Sequence, residues 1–303
     1  MRIDEMLASN RPCFSVEFFP PKTEEGREVL FETVEVLRKL EPHFFSVTYG
    51  AGGATREGTL ETTRAIRDEY GSEAMAHLSC VGETADSLRE IIDRIADAGI
   101  ENILALRGDP PRGEKDFEPP EGGLGSSAEL AALIRETHPD IAIGGACFPE
   151  VHPEALSLEA DLAYLKTKVQ NGASFLITQL FFDNRLYYDF IPAARAAGID
   201  VPIIPGIMPM TGFKQIARIS ELCQASIPGP LASAMEALDG DERAEFELGV
   251  AYATQQCADL LRPGAPGIHL YALNRWPAAR AILGALHASK PWEERQPAAA
   301  GTA

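Results

Sequence analysis

Short apolar or β-branched runs alternate along the chain with stretches of helical spacing, each pair separated by a polar break. The apolar runs cover residues 13–18, 43–49, 74–80, 102–106, 141–148, 174–180, 201–207 and 268–273, which predict eight strands. Helical spacing follows at 24–40, 56–70, 85–98, 128–137, 158–171, 185–197, 213–224 and 277–287, and one further helix, 242–261, precedes the last strand. Thr23 ahead of Glu24-Glu25 and Thr84 ahead of residue 85 can cap helix starts, while Gly99 and Gly198 stand where helices end. Eight strand-then-helix units in 303 residues predict an α/β fold of the (β/α)8 TIM-barrel type. One catalytic domain is expected over 1–289, followed by a frayed tail over 290–303. The competing doubly wound sheet would carry Gly-x-Gly-x-x-Gly after its first strand if it bound a dinucleotide in the usual way; the nearest stretch, Gly50-Ala-Gly-Gly-Ala-Thr55, ends in threonine and reads as a strand-to-helix loop. Residues 110–127, rich in proline, glycine and charge, predict a mobile surface loop.

One carboxylate, Glu17, interrupts the first apolar run, Phe14-Ser-Val-Glu-Phe-Phe-Pro-Pro21. Burying a carboxylate without partners is costly. In a strand, Ser15 and Glu17 share the face opposite Val16 and Phe18, and the prolines end the strand just beyond. The segment alone leaves two readings, the polar face of an edge strand or a group that does chemistry. In TIM barrels active sites form at the C-terminal ends of the strands. Those ends here carry Glu17, then Thr48 and Tyr49, His77, Arg107-Gly-Asp109, Glu150 and His152, Thr178 and Gln179, and Asn274 and Arg275. Polar chemistry recurring at one phase of the repeat favours a functional rim. Arg107 suits a phosphate or a ring carbonyl, or else pairs with Asp109 to close the barrel top. His77 alone reads as a core histidine, and His152, in a proline-bounded loop, as either a turn residue or a ligand contact.

Composition narrows the class. Acidic residues outnumber basic ones 45 to 27, for a formal charge of −18, which disfavours nucleic acid and anionic membrane surfaces. The N-terminus lacks an apolar signal core, and no stretch approaches the roughly 20 apolar residues of a membrane span, so a cytoplasmic enzyme is expected. Five scattered cysteines and no His or Cys pair at ligand spacing argue against disulfides and a metal site, and the absence of Gly-x-Ser-x-Gly argues against a serine hydrolase.

Taken together, Ser15-Val-Glu-Phe-Phe-Pro-Pro21, Ser46-Val-Thr-Tyr-Gly-Ala51, His77-Leu, Leu106-Arg-Gly-Asp109, Pro149-Glu-Val-His-Pro-Glu154, Ile177-Thr-Gln179, Phe181-Phe-Asp183, Ile204-Pro-Gly-Ile207 and Leu273-Asn-Arg275 resemble the methylenetetrahydrofolate reductase family, over about residues 12–287. The resemblance implies a flavin-dependent (β/α)8 barrel in which NADH or NADPH reduces FAD, and reduced FAD converts 5,10-methylenetetrahydrofolate to 5-methyltetrahydrofolate in a ping-pong cycle that serves methionine synthesis. A homo-oligomer is implied by the resemblance alone. Eukaryotic members carry a further S-adenosylmethionine-binding region after the barrel, so this chain is expected to be of the bacterial type.

By the same resemblance Glu17 is the general acid that protonates N10 of the folate, opening its methylene bridge to a 5-iminium cation. Its apolar setting is expected to raise its pKa. Asp109 is implied near flavin and pterin, where its charge would favour that cation. Flavin contacts are implied for Thr48, Tyr49, Ala51, His77, Arg107, Gly108, Asp109, Ser127, Phe148, His152, Ala155, Asp161, Tyr164 and Lys168. Phe148 and Tyr164 stand where relatives commonly have tyrosine and a smaller polar residue. Asp161 and Lys168, at i and i+7 of one predicted helix, share a face that would otherwise read as solvated. Substrate contacts are implied for Glu17, Thr48, Asp109, Gln179, Gln215 and Arg275, with Arg275 suited to a carboxylate, and Ile219 occupies a place where some relatives have phenylalanine. Two other classes compete: a metal- or Schiff-base-dependent aldolase or lyase built on Glu17, His77 and Asp109, and a folate- or flavin-binding protein without turnover.

Overall fold

The computed structural model describes residues 1–9, 11–49, 53–108 and 118–294. A short helix, α1 (Ile3–Leu7), precedes β1 (Cys13–Phe18), and the strand–helix repeat begins there with α2 (Glu24–Leu37), β2 (Phe44–Val47), α3 (Gly53–Asp68), β3 (Ala74–Ser79), α4 (Ala85–Asp97) and β4 (Asn102–Leu106). It continues with α5 (Ser127–Thr137), β5 (Ala142–Cys147), α6 (Leu158–Gln170), β6 (Ala173–Thr178), α7 (Asn184–Ala196), β7 (Ile203–Ile204), β8 (Gly206–Ile207) and α8 (Phe213–Cys223). Helices α9 (Gly229–Glu236) and α10 (Glu242–Leu261) come before β9 (Gly267–Tyr271) and α11 (Trp276–Ser289). All strand pairs are parallel, in the order β7-β6-β5-β4-β3-β2-β1-β9-β8.

The two short segments β7 and β8 are halves of one barrel strand broken at Pro205, which has no N–H to donate. Its carbonyl still accepts from the His269 N–H at 3.0 Å. Because β7 pairs with β6 and β8 with β9, the ring closes through this break. The barrel read from the repeat is therefore the fold observed, with eight strands and helices around them.

Alternation decides what each strand shows to the axis. On β1, Phe14, Val16 and Phe18 pack outward with Leu30, Val34 and Leu37 of α2, leaving Cys13, Ser15 and Glu17 for the interior. Cys13, Phe44, Met75, Leu104 and Phe175 form the barrel's lower filling, sealed by Ile3 and Leu7 of α1. The Ile3 N–H is held by Asn102 Oδ1 at 2.8 Å. The reading of β1 as a possible edge strand with a solvated polar face is overturned, since both its neighbours are paired and the Ser15–Glu17 face lies inside.

Helix starts are capped as the punctuation indicated: Thr23 accepts from the Gly26 N–H and Thr84 from the Ser87 N–H. Two expectations require correction. Where one helix was expected before the last strand there are two. The tail does not fray at Lys290, because Pro291–Glu293 forms a 3-10 turn whose Trp292 packs on Phe14 with ring centroids 5.6 Å apart. Residues 295–303 lie outside the described residues.

Candidate active site

Two neighbouring regions occupy the C-terminal mouth of the barrel. The first sits on the axis and is made by strand residues alone. Glu17, on β1, is opposite Ser46 on β2 and Tyr271 on β9. Its carboxylate Oε2 lies 3.2 Å from Nε2 of His269 and 3.5 Å from Nε2 of His77. The other nitrogen of His269, Nδ1, lies 2.8 Å from Ser15 Oγ. Tyr271 reaches across the mouth and donates its hydroxyl to the Thr178 carbonyl at 2.7 Å. Room for that crossing depends on Gly206, where a Cβ would lie 2.4 Å from the Thr178 oxygen and 2.7 Å from the Tyr271 hydroxyl.

This setting corrects the expected pKa of Glu17. Burial pushes the carboxyl up, but the hydrogen bond from His269 and the neighbouring His77 and His269 imidazoles outweigh it and hold the group below the usual glutamate range. Apolar neighbours in sequence suggested a raised value because they say nothing of partners arriving from β3 and β9. Burial lowers His77 to about 4, so that ring is neutral at neutral pH. The hydroxyl of Tyr271 is held well above its usual range, by burial first and then by the Glu17 charge.

The second region is a cleft of about 820 Å³ on the β4–β6 side, within the ordinary range for small-molecule sites. Loops and helix starts build it. Arg107 and Gly108 follow β4, and Gly108 is forced to be glycine twice over: its φ is +90°, and a Cβ would fall 2.1 Å from Ser79 Oγ. Arg107 pairs with Glu154, Nη2 to Oε1 at 2.7 Å; Asp109, its alternative partner, and Ala51 lie outside the described residues. After β5, Phe148 and His152 meet edge to face at 4.6 Å, and the turn between them places Val151 at φ +69°.

Helix α6 supplies the cleft wall. Asp161 and Lys168 are both buried, so their shared face is not a solvated one. Asp161 accepts the His152 N–H at 2.9 Å. Lys168 donates to the Ala146 carbonyl at 2.6 Å, reaching it because Gly145 has no Cβ to meet the lysine stem. Burial lowers this lysine to about 8. Tyr164 joins α6 to the opposite wall through Ser127 Oγ at 3.1 Å. Gly125, Ser126 and Ser127 present the start of α5 to the cleft, with Ser126 as its N-cap. A helix N-terminus and a lysine suit an anionic ligand. The 118–127 part of the expected mobile loop is instead anchored, with the Ala85 N–H donating to the Gly122 carbonyl at 2.9 Å and Gly123 bridged to Thr84. Residues 110–117 lie outside the described residues.

The structure thus gathers Tyr49, Arg107, Gly108, Ser127, Phe148, His152, Ala155, Asp161, Tyr164 and Lys168 around one cleft, with Gln179 at its inner edge. His77 belongs to the axial group and touches Glu17 instead. Thr48 stands at the β2 exit, its N–H on the Phe18 carbonyl and its own carbonyl taken by Thr59. Gln215 on α8 and Arg275 at the start of α11 are exposed and line no part of the cleft. Ile219 packs beside a cluster of Phe182, Met208 and Leu231 over the β6–β8 ends. Sequence reasoning missed His269 as a site residue, although it alternates in phase with Tyr271 and so had to face the axis. Among the described residues no cluster of His, Cys, Asp and Glu could hold a metal, and no helix is long and apolar enough to cross a membrane.

The buried Lys168 and the start of α5 give this cleft groups that complement an anionic, phosphate-bearing ligand. The family profile described as methylenetetrahydrofolate reductase matches residues 2–287. A protein of Escherichia coli (strain K12) named 5,10-methylenetetrahydrofolate reductase is 40% identical, with 90% of each chain covered. Methylenetetrahydrofolate reductase (NADH) 1 of Arabidopsis thaliana is 38% identical over 98% of this chain but only 53% of its own length, so the chain spans about half of that plant relative. Among solved structures, an uncharacterised Clostridium thermocellum protein that binds two copies of 5-methyl-5,6,7,8-tetrahydrofolic acid shares the fold at TM-score 0.64 and 16% identity, covering 94% of this chain and 98% of that one.

Proposed function

The chain belongs to the methylenetetrahydrofolate reductase family, and on that premise we propose that it reduces 5,10-methylenetetrahydrofolate to 5-methyltetrahydrofolate with FAD as its cofactor. The observation that carries the reading is the pairing of an enclosed axial carboxyl, Glu17, with an adjoining cleft suited to a dinucleotide phosphate. FAD, when bound, supplies the hydride carrier between the nicotinamide and folate substrates. Lys168 and the start of α5 would hold its phosphates, while Arg107, Gly108 and the Phe148–Ala155 turn would hold the rest.

Glu17 gives its proton to N10, and the bond between N10 and the bridging methylene carbon breaks with its electron pair going to N10. The product of that step is the 5-iminium cation, which the charge of Asp109 is proposed to favour. Gln179, which lines the cleft, would contact either substrate in turn. Thr48 contributes to the pterin side, and the exposed Gln215 and Arg275 would hold the distal part of the folate. The names of the Arabidopsis and maize relatives support NADH as the donor. A cytoplasmic homo-oligomer working in one-carbon metabolism, ahead of methionine synthesis, is part of the same proposal.

The test is spectroscopic. Protein reconstituted with FAD is expected to show a flavin spectrum, to bleach with NADH and to recover its colour with methylenetetrahydrofolate. Failure to retain FAD, or bleaching without recovery, would refute the reading.

A further inference from the structure

Helix α10 is an addition to the strand–helix repeat, and one of its faces is spent on holding loops at the barrel mouth. Residues 245, 249, 252 and 256 follow helical spacing, so they line up along that face. Glu245 Oε2 accepts the N–H of Phe213, the first residue of α8, at 2.8 Å. Gly249 lies so close to the loop before α8 that a Cβ there would run into the Met210 carbonyl. Tyr252 donates its hydroxyl to the Phe182 carbonyl at 2.6 Å, and Gln256 donates from Nε2 to the Phe181 carbonyl at 3.0 Å. This face therefore ties down two loops, one after β6 and one after β8.

The cap on α8 is the informative contact. A helix leaves its first N–H groups without partners, and a capping side chain normally accepts one of them. The N-cap of α8 is Gly212, which has no side chain to offer. Glu245 fills the role from another helix, 32 residues further along the chain. It is buried although it is an acid, and a carboxylate at a helix start also meets the positive end of the helix dipole. Gln215 stands in the same first turn of α8, two residues after Phe213, and is exposed.

We propose that Glu245 is a positioning residue for folate binding: by fixing the first turn of α8 it sets where Gln215 meets the folate. The inference rests on the reading of Gln215 as a folate contact. Among the described residues, neither α8 nor α10 lines the cleft assigned to the flavin. The effect of Glu245 should therefore fall on one substrate and leave the cofactor alone. A contribution to stability alone would lower the denaturant midpoint without changing how tightly folded enzyme takes its folate.

The test is a double-mutant cycle on the reoxidation of NADH-reduced, FAD-loaded enzyme, read as the methylenetetrahydrofolate concentration that gives half the limiting rate. Glu245→Ala should raise that concentration roughly tenfold, because it removes a helix cap. The limiting rate and the NADH bleaching should stay close to wild type, since no reacting group is touched. Glu245→Gln keeps an oxygen for the Phe213 N–H and should restore most of the affinity. Gln215→Ala should also raise the half-saturating concentration, and the double variant should be little worse than the weaker single one. Additive effects, an unchanged half-saturation in Glu245→Ala, or equal losses in both half-reactions would overturn this inference only. If Glu245→Ala fails to fold, Glu245→Asp, one methylene short of the Phe213 N–H, takes its place in the cycle. Wild-type half-saturation in Gln215→Ala would overturn the reading of Gln215, and a wild-type flavin that the folate never reoxidises the whole functional reading, each taking this inference with it.

Discussion

The axial group and the adjoining cleft use opposite means to the same end. Around Glu17 every partner comes from a strand, so positions are set by register: Ser15, Glu17, His77, His269 and Tyr271 all face inward because the pleat alternates. The cleft is built from segments just past the strand ends, namely Gly108, the Val151 turn, and the starts of α5 and α6. Strand-built groups are held within tight tolerance, as a proton donor requires. Loop-built groups give backbone N–H groups and a wide mouth, as a large cofactor requires. The two regions also treat charge differently. A histidine neighbour holds the buried Glu17 carboxyl low, whereas the cleft leaves Lys168 on a backbone carbonyl with its pKa lowered to about 8.

If this division holds, changes to the cleft should damage flavin retention and spare the acid. The largest effect is expected from Gly108→Ala, which adds a Cβ 2.1 Å from Ser79 Oγ at a φ of +90°. Strain and overpacking together should cost about 2–4 kcal/mol, read as a drop in the denaturant midpoint together with loss of bound FAD. Lys168→Met should weaken FAD binding by roughly tenfold, about 1.4 kcal/mol. Wild-type affinity should fall as pH rises through about 8, where the ammonium deprotonates, and the variant should lose that dependence. Isothermal titration with FAD at several pH values checks both.

The axial region makes the most specific prediction. His77 is lowered from 6.5 to about 4, so between those values the unfolded chain binds more protons than the folded one. Stability from this group is complete above pH 6.5 and is lost as pH falls toward 4, with a slope of at most about 1.4 kcal/mol per pH unit. His77→Asn should flatten that part of a urea-midpoint profile. An unchanged slope would place the acid sensitivity elsewhere.

The same contrast explains what the sequence disclosed. Cys13–Phe18, Asn102–Leu106 and Glu242–Leu261 were legible to the residue, because apolar alternation or helical spacing meets clear boundaries there. Helix α9 was not: it has eight residues, opens on Gly229-Pro230 after Pro228, and offers only Leu231 and Met235 as a buried pair. The break at Pro205 was hidden inside an apolar run. Glu17 could be found from its oddity in such a run, and the cleft residues from family motifs. His269 was passed over despite its alternation with Tyr271, since a lone histidine among Ile268 and Leu270 reads as core and its partner lies 252 residues away in the chain. The direction of the Glu17 shift was misread for the same reason, because the partners that decide it belong to distant strands.

The central claim is that Glu17 serves the folate step alone while the cleft serves the flavin. Rapid-mixing measurement of the two half-reactions in Glu17→Gln tests it most directly. The account predicts bleaching by NADH at close to the wild-type rate and reoxidation by methylenetetrahydrofolate slowed by about 10²- to 10⁴-fold. Equal loss in both halves, or reoxidation at the wild-type rate, would contradict it.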